Sequence, residues 1–114
     1  MSAEDHYLDA LEALDNDDRE KALEEAYKAV KLDEEHVDAW QIISDAHLPP
    51  TGVSPSMIEA SKSLSAVKKV VALEPSRIDM WVRGGRLLAD ELGLMLDALQ
   101  WWQDVRHHAP YEVT

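Results

Sequence analysis

Cysteine is absent from this chain, and so is phenylalanine. Without cysteine there is no disulfide framework and no thiolate metal site. No apolar stretch approaches the roughly 18 residues of a membrane span, and no N-terminal apolar run follows a basic segment as in a signal peptide. Strand signals are lacking too, since no segment alternates with period two. Positive charge is scarce: 11 Lys and Arg stand against 23 Asp and Glu, a formal net charge of −12 over 114 residues. Such a field repels nucleic-acid phosphates and anionic membranes and attracts basic partners. Acidic residues also keep a helical surface soluble, and they suit a salt-adapted organism; composition leaves these readings side by side. The expectation is a cytoplasmic chain with no nucleic-acid and no membrane partner.

Six segments of helical periodicity are present. The first carries Tyr7, Leu8, Ala10, Leu11, Ala13 and Leu14 behind Ser2 as cap, with Glu4 and Asp5 near its positive end. The run Asp15-Asn16-Asp17-Asp18 breaks it, because these side chains compete for backbone hydrogen bonds. A second helix starts near Arg19, with Asp17 and Glu20 spaced as a capping-box variant. Its inner face is Ala22, Leu23, Ala26, Ala29, Val30 and Leu32. A third spans about 35–48, with Val37, Trp40, Ile43 and Ala46 inward. Residues 49–55 form a loop, since adjacent prolines cannot sit inside a helix. Ser54 and Pro55 then read as cap and first residue of a fourth helix, about 55–74, whose inward residues are Ile58, Ala60, Leu64, Val67, Val70, Val71 and Leu73.

Pro75 stops that helix, and Ser76 caps a fifth with Asp79 three residues on. The fifth holds Ile78, Trp81, Val82, Leu88 and Leu92. Its Gly84-Gly85 pair costs roughly 1 kcal/mol per residue against alanine, which implies a packing reason. After a turn near Gly93, a sixth helix runs from Met95 to about His108, ended by Pro110. Trp40, Trp81 and Trp102 are expected in the core.

A repeat organises these helices. Leu32, Val37, Asp38 and Trp40 match Leu73, Ile78, Asp79 and Trp81 at one constant offset of 41 residues (81 − 40 and 73 − 32). Residues 22–33, Ala-Leu-Glu-Glu-Ala-Tyr-Lys-Ala-Val-Lys-Leu-Asp, follow the second-helix pattern of the tetratricopeptide repeat family, whose period is about 34 residues. Trp40, Ile43, Ser44 and Pro75 fit the next unit, and Trp81, Gly84, Gly85, Leu88, Ala98, Trp102, Val105 and Pro110 a third. The chain thus resembles that family over nearly its whole length. Two departures stand out: the middle unit is about seven residues longer than the period of about 34, and the first has Tyr7 near the place of the early tryptophan.

The resemblance implies an all-α, right-handed helical-repeat stack of three antiparallel helix pairs, with units at approximately 3–34, 35–75 and 76–110 and an inserted loop at 49–55. It also implies a non-enzymatic adaptor that needs no cofactor and binds a protein or peptide partner in a groove lined by each unit's first helix. The family pattern puts Asp5, Leu8 and Glu12 on that groove from the first unit. Asp38, Gln41 and Asp45 come from the second, and Asp79, Val82, Arg83, Arg86 and Asp90 from the third. Such a groove, acidic at one end, suits a basic or mixed-charge segment. The lysine, asparagine and arginine set with which one branch of the family clamps a chaperone's C-terminal carboxylate is missing.

The sixth helix is apolar over much of its circumference, so it needs cover on two sides. Leu94, Ala98, Trp101 and Val105 are therefore expected to form an exposed patch that a second copy covers, giving a homodimer. The alternative role is a structural or assembly subunit whose main work is homo-oligomerisation. No metal site is expected: Asp104, His107 and His108 have suggestive spacing, yet adjacent histidines on a helix diverge. No phosphate loop or nucleophile motif is present, and His47 fits a hydrogen-bonded buried side chain better than a ligand.

Overall fold

The computed structural model describes residues 1–108. Six α-helices follow one another: α1 (Ala3–Asp15), α2 (Arg19–Leu32), α3 (Val37–His47), α4 (Met57–Leu73), α5 (Ile78–Arg86) and α6 (Met95–His108). A π-helical turn, Leu87–Glu91, continues α5. Among the described residues there is no strand, and no helix is long and apolar enough to cross a membrane. Successive helices pack against one another, as short turns between amphipathic helices favour. The expectation that Pro110 ends α6 lies outside the described residues.

The caps explain where the helices begin. Ser2 accepts from the Asp5 N–H while the Asp5 carboxylate accepts from the Ser2 N–H, a reciprocal pair that satisfies two orphan donors. The Ser2 bonds hold the Asp5 carboxyl below the usual range. Three expected caps move by one or two residues. Asp18 rather than Asp17 caps α2, because Asp17 takes the left-handed turn position at φ 58°. Ser56, paired with Glu59, caps α4 in place of Ser54 and Pro55. Ser76 caps nothing; Arg77 stands at the cap position of α5 and sends its side chain elsewhere.

The core falls into two clusters. Alanines dominate the first, where Ala10 and Ala13 of α1 meet Ala22, Ala26 and Ala29 of α2 and Ala39 and Ala46 of α3. Small residues let these backbones approach closely. The second joins Leu64, Val67 and Val70 of α4 to Met80, Trp81, Leu87 and Leu88 and to Ala98, Trp101 and Val105 of α6. Trp40 packs against both clusters, half-buried, and so ties one end of the stack to the other. Trp102 is half-buried as well. Leu32, Ile58 and Leu73, expected inward, are exposed.

The π-helical turn comes from one extra residue in the helix. Leu92 N–H donates to the carbonyl of Leu87 at 2.9 Å, and Leu94 N–H to that of Leu88 at 2.7 Å. The widened turn keeps the adjacent Leu87 and Leu88 both buried, and Gly93, at φ 66°, reverses the chain into α6. Glycines 84 and 85 receive the indoles of α6. A Cβ on Gly84 would lie 2.6 Å from Trp101 Cε2, and one on Gly85 2.6 Å from Trp102 Cε2. Trp101, in turn, donates its indole N–H to the Trp81 carbonyl at 2.6 Å, with the two rings 5.0 Å apart.

Candidate functional site: the α3–α5 face and its loop

The two sequence-matched joints are also matched in hydrogen bonding. Trp40 donates its indole N–H to the Glu34 carbonyl and Trp81 to the Pro75 carbonyl, each 2.9 Å away and six residues back. At both joints the residue before the following helix reaches back to the preceding pair's first helix. His36 Nδ1 accepts from the Ala39 N–H at 3.1 Å, which leaves the ring proton on Nε2 for Glu4 of α1 at 2.9 Å. Arg77, 41 positions on, meets Asp38 of α3 at 2.6 Å, Gln41 at 2.5 Å and Glu74 at 3.0 Å. Burial disfavours the Arg77 charge, but the Asp38 and Glu74 carboxylates outweigh it and hold its pKa up. The first helices of the three pairs therefore lie side by side.

Arg83 of α5 adds a second clamp. Its guanidinium pairs with Asp45 and donates to Ser44 Oγ at 3.0 Å. Ser44 is fully buried and bonds Ser63 Oγ of α4 at 2.8 Å. Asp38, Gln41 and Asp45 thus work as internal partners. The acidic groove end expected from the sequence is neutralised by Arg77 and Arg83.

What remains open lies toward the loop. Residues 49–55 fold over α5 and leave a cleft of about 550 Å³ between them. Leu48, Pro49, Pro50 and Val53 line one wall; Asp79, Val82, Arg83, Arg86 and Glu91 line the other. Four of the expected groove residues, Asp79, Val82, Arg83 and Arg86, therefore share one cavity. Among the described residues Asp79, Arg86 and Glu91 have no ion-pair or side-chain hydrogen-bond partner.

No protein-family model matches the sequence, and no curated protein matches it. Its structure, however, superposes on the crystal structure of the MamA protein with a TM-score of 0.77 over 99% of this chain, at 20% sequence identity. The fold is a tetratricopeptide-like helical-repeat stack. The chain spans 60% of the MamA chain's length, so the likeness concerns the shared helices alone.

Within this stack, Ala98, Trp101 and Val105 do not form the exposed patch expected of them. Trp101 is 8% exposed and Val105 fully buried, because the glycine pair lets α6 settle onto α5. Leu94 alone of those candidates is exposed, beside Met95, Leu96 and Leu99. A half-buried cluster of His6, Asp9 and Glu25 has the residue types of a metal site. Its His6 Nδ1 to Glu25 bond of 2.7 Å accounts for it as a bridge between α1 and α2, one that lowers the Glu25 pKa. Sequence spacing could not show it, since Glu25 comes from another helix. His47 bonds the Tyr27 hydroxyl at 2.8 Å, and burial pushes its pKa down. The role of Arg77 is not legible in the sequence, because it precedes its helix, where position signals only capping.

Proposed function

We propose that this chain is a non-enzymatic protein-interaction scaffold that takes a partner's segment on the face of α5 beside the 49–55 loop. The observation that carries the reading is the cleft itself. There Asp79, Arg86 and Glu91 stay unengaged next to apolar surface, and apolar surface with a few placed polar groups is what recognition sites are made of. Helical-repeat stacks present extended concave surfaces suited to such segments. Capture of partners from lysate by the wild type, by Val82→Glu, by Arg86→Glu and by Ser65→Glu on the exposed side of α4 tests it. The α5 changes are expected to abolish a capture that Ser65→Glu leaves intact. Equal capture by all four would contradict the reading.

A second reading, homo-oligomerisation through α6, is supported by Leu94, Met95, Leu96 and Leu99, four large apolar side chains left exposed at its start, with Leu96 83% accessible. Sedimentation of the wild type and of Leu96→Glu/Leu99→Glu tests it. A monomeric wild type would remove it.

A further inference from the structure

We infer that the cleft between the 49–55 loop and α5 seats the apolar anchor of an extended peptide, and that this anchor is flanked by lysine or arginine. The inference rests on the partner-segment reading above and specifies the ligand's chemistry. Val53 from the loop and Val82 from α5 face the same cavity, where one aliphatic or small aromatic side chain can leave water. Asp79 stands near the start of α5 and Glu91 at the end of the π-helical turn. Twelve residues of helix separate them by about 18 Å, which an extended segment covers in about five or six residues.

Charge decides between basic and acidic flanks. Arg83 already spends its charge on Asp45, and Arg86 is the other cation of the cavity. Against it stand the unpaired carboxylates Asp79 and Glu91, in a chain of net charge −12. A segment with basic residues beside its anchor meets attraction at both ends, whereas an acidic one meets repulsion. The Arg86 guanidinium lies between them and offers its donors to the segment's backbone carbonyls. The loop that builds this wall is the same stretch that lengthens the middle repeat, so the insertion creates the pocket.

Three labelled probes of about eight residues test this, each with a central leucine flanked by lysine, alanine or glutamate. Their affinities are read by fluorescence anisotropy on the full chain, on Val53→Asn and on Asp79→Lys/Glu91→Lys, with circular dichroism confirming that each variant is folded. The lysine probe is expected to bind the wild type about fivefold more tightly than the glutamate probe. That order should invert in the double-lysine variant, and Val53→Asn should weaken all three. A glutamate probe that binds as well as the lysine probe overturns the inference. Lysine-probe binding that survives Val53→Asn overturns it too, while leaving a site elsewhere on α5 standing. If no probe binds, the cleft assignment fails, and the lysate capture with Val82→Glu decides the broader reading separately.

Discussion

Replacing Gly84 by alanine sets two effects against each other. Helix propensity alone favours the change by about 1 kcal/mol. Packing opposes it: the added Cβ would sit 2.6 Å from Trp101 Cε2 and closer still to Cζ2, against an ordinary carbon–carbon separation of about 3.5 Å. Trp101 cannot yield cheaply. Its indole N–H is bonded to the Trp81 carbonyl at 2.6 Å and its ring leans on Trp81. Overpacking costs about 1–3 kcal/mol, and breaking the buried bond adds about 1 kcal/mol. With the propensity gain subtracted, a net loss of about 2 kcal/mol remains, or roughly 8 °C in Tm for a chain of this size. Thermal and urea unfolding followed by circular dichroism measures it. In a Trp101→Leu background the clash disappears, so the same change should become neutral or stabilising, a coupling that a double-mutant cycle reads directly. Gly85→Ala should cost less, because Trp102 is half-buried and can swing outward. A Gly84→Ala protein as stable as the wild type would refute the packing argument.

Arg77→Ala should lose about 1–2 kcal/mol in urea unfolding, since it removes one hydrogen-bonded partner from Asp38, Gln41 and Glu74 together, while Arg77→Lys should recover only part. Ser56→Ala should cost about 1 kcal/mol through the α4 cap and Ser54→Ala almost nothing; equal effects would misplace the cap. The depressed His47 pKa means that the unfolded chain takes up its proton first as pH falls. Its contribution is therefore fully present above about pH 6.5 and is lost as pH falls toward the lower folded value, so a His47→Gln variant should show a flatter stability profile between about pH 7 and 5. The Glu25 and Glu59 carboxyls, lowered by the His6 and Ser56 bonds respectively, contribute above about pH 4.3 and act in a separate, more acidic window.

The helices were legible because their apolar residues recur at helical spacing and because proline and aspartate runs separate them. The offset of the tryptophans carries further: Trp40 and Trp81, 41 residues apart, make the same hydrogen bond to the same relative carbonyl. The Gly84-Gly85 pair announced close packing, but not which side chain fills the space. The periodicity of α6 shows apolar residues on most sides, and only the glycine gap shows that Trp101 turns inward while Leu96 and Leu99 stay out. At the site, position along a helix predicted which residues share a face, so Asp79, Arg83 and Arg86 were found together. Pairing across helices is another matter. Asp38 and Asp45 look free in the sequence because their partners, Arg77 and Arg83, lie 39 and 38 residues away.

On the proposed function, α5 and the 49–55 loop form the surface that a protein partner touches. A photo-crosslinking residue placed in turn at Val82, Val53 and Ser65 of the full chain, irradiated in lysate, tests it most directly. Covalent adducts to the same protein partner from positions 82 and 53, and none from position 65, are the predicted result. Adducts from position 65 alone, or equally from all three, would contradict the account.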